Sequence, residues 1–270
     1  MERAIRIGDR TFQVESDDNY LAQMPDEFEP HMTDVFRALI DPDMVVADVG
    51  ANIGMTALLF SQLARSVHAF EPGPSTFGLL RRNLDRAGCE TVSAVNIGMG
   101  DRASEQSLTF AKNNRSGGFV NTNVRLSEAA HTTETIRIET LDGYFFDQPE
   151  RPDFIKIDVE GFEPRVLRGA QALLARKQPT VVLELNHFCL NVMHRVTLPE
   201  FFDQLRGLFP VLLAIDTGNA RLANLHNPDA AYMVMNQHAT RFRFPNIAAG
   251  FSPEIGPRLN AVVQKAQGAS

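Results

Sequence analysis

The sequence predicts an α/β chain built on a doubly wound, mostly parallel sheet with helices on both faces. Three observations carry that expectation. The first is the stretch Val45-Val46-Ala47-Asp48-Val49-Gly50-Ala51-Asn52-Ile53-Gly54-Met55-Thr56-Ala57-Leu58-Leu59-Phe60. It is an apolar run, as a strand buried on both faces requires, that reaches an acidic tip, turns through glycines and becomes apolar again at helical spacing. The second is Glu71, which closes the next apolar run 21 positions after Gly50. That is close to the ~20-residue interval at which an acidic group on a second parallel strand reaches a ribose held over the first turn. The third is order: short apolar runs alternate with amphipathic ones over most of the 270 residues, the pattern of βαβ units.

In chain order, Ala4 to Ile7 and Thr11 to Val14 alternate around Gly8-Asp9 and read as a small hairpin. A helical pattern from Asp34 through Phe36, Leu39 and Ile40 stops at Asp41-Pro42-Asp43. The first strand, its glycine loop and a helix over Met55 to Ala64 follow; Val67 to Phe70 is the second strand. Phe77 to Ala87 reads as a helix with Leu79, Leu80 and Leu84 inward and Gly88 as its C-cap. Thr91 to Ile97 is a third strand leading into Gly98-Met99-Gly100-Asp101. Residues 113 to 135 carry polar turn signals and little period; Ile136 to Thr140 alternates like a strand.

In Phe154-Ile155-Lys156-Ile157-Asp158-Val159-Glu160-Gly161, Ile155, Ile157 and Val159 fall on one face and Lys156, Asp158 and Glu160 on the other. Three charges on one face of a central strand need a reason, because unpaired buried charge is costly. Glu163 to Ala175 reads as one amphipathic helix with Pro164 in its first turn. Pro179 to Leu185 is a fifth strand with Glu184, Asn186 and His187 at its carboxyl end, where ligands bind in open α/β sheets. Pro199 to Leu208 is helical, Val211 to Ile215 and Ala231 to Val234 are expected as the last strands, and the chain after Pro245 reads as a tail or a lid over the site.

Composition narrows the function classes. With 44% hydrophobic residues the chain buries a sizeable core. Cys89 and Cys189 stand in no CxxC or His-rich spacing, so neither a disulfide framework nor a zinc site is expected. There is no apolar leader and no uncharged apolar run long enough to span a bilayer, so a cytoplasmic protein without a membrane span is expected. A net charge of -7 without a clustered basic face argues against nucleic-acid partners.

The glycine loop chooses among nucleotides. A dinucleotide fingerprint has G-x-G-x-x-G, whereas Asn52 replaces the middle glycine here and Asp48 would repel a pyrophosphate. The same carboxylate suits a ligand bearing an ammonium and a sulfonium, S-adenosyl-L-methionine. Asp48, Gly50, Ala51, Asn52, Gly54, Glu71 and Pro72 are the expected cofactor contacts, joined by Gly98, Asp101 and Asp158 from neighbouring strand ends, with Glu71 on the ribose and Asp101 at the adenine amino group.

The segments Val46 to Gly54, Phe70-Glu71-Pro72, Leu80-Arg81-Arg82-Asn83-Leu84, Ser116-Gly117-Gly118, Glu139-Thr140-Leu141-Asp142 and Phe154 to Gly161 together resemble the FkbM family of S-adenosylmethionine-dependent methyltransferases. The resemblance covers roughly residues 35 to 190. It implies a class I methyltransferase fold, a seven-stranded sheet with its last strand antiparallel, and O-methylation of a hydroxyl on a glycan sugar or a secondary metabolite. The organisation expected is a hairpin appendage (1–34), a methyltransferase domain (35–244) and a tail or lid (245–270), acting on a small-molecule or carbohydrate partner.

Other nucleophiles fit less well. The Asn/Asp-Pro-Pro-aromatic turn of nucleobase N-methylation is replaced by Asp158-Val159-Glu160-Gly161, and neither cysteine follows a proline as carbon-5 pyrimidine chemistry would want. A binding module that does not turn over is the other class left open. His187 is the expected general base and Glu160 the second candidate, since the reaction asks mainly for positioning and a proton acceptor. Lys156 is expected between Asp158 and Glu184 as a structural ammonium, with a substrate-binding or catalytic role as the alternative. Asp158, Glu160 and Glu184 could offer oxygen ligands, but no metal is expected.

Overall fold

The computed structural model describes residues 1–120, 124 and 126–268; positions 121–123 and 125 within the patternless stretch, and Ala269 and Ser270 of the expected tail, lie outside the described residues. The chain opens with the hairpin β1 (Glu2–Ile7) and β2 (Arg10–Glu15), then α1 (Tyr20–Gln23) and α2 (Pro30–Leu39). The Rossmann-like half runs β3 (Val45–Val49), α3 (Met55–Phe60), β4 (Ser66–Phe70), α4 (Pro74–Ala87) and β5 (Val92–Val95). An inserted sheet follows: β6 (Gly98–Met99), β7 (Ser104–Ala111), β8 (Asn114–Val120) and β9 (His131–Glu139), with α5 (Leu141–Tyr144) behind it. The second half is β10 (Phe154–Ile157), α6 (Glu163–Arg168), α7 (Gln171–Lys177), β11 (Thr180–Glu184), α8 (Leu198–Leu208), β12 (Val211–Asp216), β13 (Arg221–Asn224), α9 (Pro228–Arg241), β14 (Asn246–Gly250) and α10 (Ile255–Gly268). Among the described residues no helix is long and apolar enough to cross a membrane.

The main sheet has the order β13-β12-β14-β11-β10-β3-β4-β5. From β5 to β12 the sheet runs through seven strands, six of them where the sequence placed them, and β14 runs antiparallel to both β11 and β12. β13 is an eighth, edge strand, antiparallel to β12. Apolar clusters fill both faces: one joins the sheet to α6 to α9 and the inserted sheet, the other to the hairpin, α2, α3, α4 and α10.

Three expectations are corrected. Ala231 to Val234 lies inside α9, where Ala231, Val234 and His238 form the buried stripe at helical spacing. The last strand is instead β14, inside the stretch expected as a tail; Asn-Ile-Ala-Ala-Gly is short and small, so it carries little strand signal on its own. The helix expected over Glu163 to Ala175 is two, because Gly169 brings its backbone against Gly100, where an added Cβ would stand 2.0 Å from the Gly100 carbonyl oxygen.

The hairpin is no loose appendage. Ile5, Ile7, Phe12 and Val14 are at most 5% exposed, a burial that contributes roughly 1.5–3 kcal/mol per side chain. Buried Asn83 pins it: the amide accepts from Glu15 N (2.8 Å) and donates to the carbonyls of Glu15 (3.1 Å) and Ile53 (2.9 Å), tying hairpin, α4 and glycine loop together.

Candidate active site

The parallel strands β3, β4 and β10 end on one edge of the sheet, and their loops build the site from backbone first. Gly50, Asn52 and Gly54 all have positive φ (84°, 50° and 100°), and an added Cβ at Gly50 would stand 1.8 Å from the Asp158 carbonyl oxygen. The loop is thus pressed against the end of β10, a closeness only glycine permits. Its amides turn toward the second strand: Gly50 N and Ala51 N donate to Phe70 O at 3.0 and 2.9 Å.

Glu71 sits at the end of β4, 7% exposed. Its Oε1 accepts from Gly73 N (2.9 Å) and its Oε2 from Asn52 N (3.1 Å). Burial raises its pKa to about 7 in spite of those two donors. Two backbone bonds fix the plane of the carboxylate on the wall of a narrow cavity of about 80 Å³, which Pro72, Gly98 and Glu160 also line. A second cavity of about 310 Å³ lies on the α2 side, lined in part by Tyr20, Glu29, Lys156 and Glu184. Gly50, Asn52 and Asp158 border both.

Beneath this junction lies a buried ion cluster. The Lys156 ammonium stands 3.1 Å from Asp158 Oδ2 and 3.7 Å from Asp48 Oδ1, and donates to Gly50 O at 3.4 Å. Asp48, fully buried, accepts from Thr56 Oγ1 at 2.6 Å. Burial alone would lower the lysine's pKa, but Asp158 and Asp48 outweigh it and hold it above the usual range. Lys156 therefore stays protonated, which suits a structural ammonium and not a base. Its second carboxylate is Asp48 rather than the expected Glu184, because Asp48 on β3 stands opposite Lys156 in the parallel register. Glu184 lies against Asp158 instead: burial, with Asp158 and Glu160 beside it, raises it well above its ordinary range, and its side chain hydrogen-bonds to that of Asp158. At Asp158, burial is outweighed by Lys156 and by that hydrogen bond, so its carboxylate titrates low.

β10 ends at Ile157, so the alternation read through Glu160 stops there. Glu160 turns instead into the left-handed region (φ 53°), followed by Gly161 at 93°. This aims its side chain at the narrow cavity, with Oε2 accepting from Asn186 Nδ2 and Cys189 Sγ, each at 3.2 Å. Burial and the Asp158 charge push its pKa up to about 7.

Two sequence expectations are not met. The loop after β5 runs into the inserted sheet, and Asp101 is drawn to α6, 3.9 Å from both Arg165 and Arg168, while Gly98 and Met99 face the cavity. His187 lies at the end of β11, but its ring packs on His238 (centroids 5.0 Å) and Phe242 (5.9 Å) under α9. Its backbone N–H donates to His238 Nε2 at 3.4 Å. Of the remaining predicted contacts, Pro72 lines the narrow cavity, Ala51 the second one, and Gly54 caps α3 beside them; Asp48 lines neither, because its fully buried carboxylate is turned to Lys156 and Thr56.

Sequence reasoning gave no role to Arg115 or Glu163. Arg115 on β8 lines the narrow cavity, pairs with Asp17 at 2.8 Å and donates to Ser75, so the inserted hairpin roofs the site. Its neighbour Ser116 and Gly118 were part of the family pattern, the one signal that could have drawn attention to this strand.

The site residues fit a ligand carrying a diol and a cation. The Glu71 carboxylate is oriented but not consumed by its backbone bonds, the Asn52 side-chain oxygen is enclosed without a hydrogen-bond partner among the described residues, and the junction is dominated by acidic groups.

A family model described as the methyltransferase FkbM domain matches residues 48–216. The chain is 35% identical over 139 residues to the hexuronic acid methyltransferase AglP of Haloferax volcanii, covering 50% of this chain and 55% of that protein. It is 32% identical over 162 residues to the 31-O-demethyl-FK506 methyltransferase FkbM of Streptomyces tacrolimicus, covering 48% and 60%. The chain thus spans little more than half the length of these curated relatives. Among solved structures, a methyltransferase FkbM from Methylobacillus flagellatus KT aligns at 19% identity and a TM-score of 0.38, over 56% of this chain and 35% of that one.

Proposed function

Because the chain belongs to the FkbM methyltransferase family, we propose that it is an S-adenosylmethionine-dependent O-methyltransferase whose acceptor is a hydroxyl of a sugar or another small metabolite. The observation that carries this reading is one cavity with Glu71 on one wall and Asp158 and Glu160 on the other.

S-adenosylmethionine, when bound, supplies an electrophilic methyl group on a sulfonium. Glu71, held by Asn52 N and Gly73 N, would accept from the ribose hydroxyls, and the Asp158 carboxylate would face the ammonium. Glu160 takes the proton of the acceptor hydroxyl. A carboxyl pushed to about 7 is a better base than a solvated one and is still substantially ionised at neutral pH. Asn186 and Cys189 bind one of its oxygens and leave the other outside their clamp. Pro72, Phe70 and Phe162 make the adjoining walls apolar, which limits water near the acceptor. AglP acts on a hexuronic acid by its name, which favours a carbohydrate hydroxyl as the first acceptor to try.

The test pairs calorimetry with turnover. Titration with S-adenosylmethionine, S-adenosylhomocysteine and NAD should give binding to the first two, and binding of NAD alone would overturn the reading. Glu160→Gln should lower kcat by about 100-fold or more with cofactor affinity retained, the scale of general-base loss. A near-normal kcat would remove Glu160 as the base.

A further inference from the structure

We infer that Glu163 is the residue that positions Glu160, and that it does so through one acceptor oxygen rather than through its charge; the inference rests on Glu160 being the proton acceptor. Glu163 opens α6 and is fully buried, 0% exposed. Its Oε1 accepts from Val159 N at 3.1 Å and from Gly161 N at 3.2 Å. These are the amides on either side of Glu160, so one oxygen gathers the loop that carries the base.

That loop needs gathering. Glu160 holds a left-handed conformation at φ 53°, which is sterically unfavourable for a non-glycine residue and persists only where surroundings over-determine it. Gly161 at φ 93° has its α-carbon against the next element: an added Cβ would lie 2.7 Å from the Cys189 backbone carbon and from the His194 ring. Without the Glu163 oxygen, the buried Gly161 amide and the part-buried Val159 amide would be left without that acceptor and the turn would relax toward an ordinary conformation, carrying the Glu160 side chain away from Asn186 and Cys189.

The second oxygen marks the role as one of geometry. Glu163 Oε2 is enclosed and has no hydrogen-bond partner among the described residues. An ion would not be left so; burial, with Asp158 nearby, pushes this carboxyl up to about 8, so it is largely neutral at pH 7. The titratable groups that act on it are Asp158, Glu184 and Cys189. A glutamine places the same kind of oxygen at Oε1 and no charge at all.

The experiment compares Glu163→Gln, Glu163→Asp and Glu163→Leu in the full chain by kcat, by KM for S-adenosylmethionine, and by NMR hydrogen exchange of the Val159 and Gly161 amides. The expected result is a kcat loss of about 10- to 100-fold in Glu163→Leu with KM little moved, the scale of a displaced catalytic group, together with faster exchange at both amides. Glu163→Gln should restore most of the rate and the protection. Should Glu163→Leu not fold, Glu163→Asp, which withdraws the oxygen by one methylene, should show the same loss in milder form. Full kcat and unchanged amide protection in the shortened or apolar variant would overturn the anchor. Loss of rate in Glu163→Gln with protection intact would overturn the claim that geometry, not charge, is what Glu163 supplies. The exchange measurement does not depend on the identity of the base, so lost protection beside a normal kcat in Glu160→Gln would retire the base and keep the anchor.

Discussion

Glu71 and Glu160 face the same cavity from either side of β3, and burial brings both to about 7, yet they are held in unlike ways. Glu71 is gripped by backbone alone, through Asn52 N and Gly73 N. Glu160 is gripped by side chains, Asn186 and Cys189 at its head and Glu163 beneath its turn. A backbone grip is indifferent to most substitutions and fails only when the chain's path is altered. A side-chain grip can be adjusted residue by residue. The corner expected to bind a cofactor common to a family is therefore rigid, and the corner expected to meet a varying acceptor is the adjustable one.

The largest expected effect comes from breaking the backbone side. Gly50→Ala puts a Cβ 1.8 Å from a carbonyl oxygen at a φ of 84°, and should destabilise the fold by about 3 kcal/mol or more and abolish S-adenosylhomocysteine binding. Urea unfolding and calorimetry check both; wild-type-like values would mean that this corner yields as easily as the other.

The next effect treats both corners together. Glu71, Glu160 and Glu163 are raised from 4.5 to about 7, 7 and 8. In the unfolded chain they are ionised above about 5, whereas in the folded one they hold protons until pH 7–8, so each contributes stability that is lost as pH rises through its folded value. His194, lowered to about 4, and His68 and His238, also lowered, work in the opposite sense: the unfolded imidazole is still half protonated at about pH 6.5, so each returns a few tenths of a kcal/mol as pH rises from there. Between pH 6.5 and 8.5 stability in the absence of ligand should fall by roughly 2–3 kcal/mol, and Glu163→Gln should flatten the fall. Stability that rises with pH over that interval would contradict the burial of these groups.

A smaller effect is expected at the cofactor. Glu71→Ala should weaken S-adenosylmethionine binding by about 1–3 kcal/mol, the cost of deleting a charged hydrogen-bond partner, while kcat at saturation changes less. Unchanged affinity in calorimetry would take Glu71 out of the site. The smallest belongs to His187, which lies outside the comparison. Packed on His238 and Phe242, its replacement by alanine should alter kcat by no more than about threefold, and a loss of 100-fold would return it to the position of base.

The same contrast explains what could be read from the residues in advance. The placement of Gly50, Asn52 and Glu71 around one loop was legible because their geometry is closed within one βαβ unit, where spacing dictates neighbours; that Asp48 would turn under the loop to Lys156 and Thr56 and line neither cavity was not, because its partner Lys156 lies on β10, outside that unit. Asp101 was misread because the loop after β5 is diverted into an inserted sheet whose strands carry mixed, half-exposed patterns. His187 was placed correctly at a strand end, but the direction of its side chain depends on α9, more than 40 residues further on. Glu160 was assigned to a strand face that ends three residues earlier. Its left-handed turn follows from Glu163 and Gly161 jointly, a cooperation that alternation patterns do not encode.

β14 lies between β11 and β12 in space but after both in the chain. During synthesis β12 therefore emerges with no partner beside it on the β11 side, and must wait for the segment that begins 35 residues after Val211. At ~5–20 residues per second that interval lasts roughly 2–7 s. Throughout it the sheet has an open slot whose edges offer unpaired amides and carbonyls to any other extended chain. The nascent protein is thus most exposed to mispairing just before its site can form, and a chaperone that holds extended segments would have its largest effect on yield in that window.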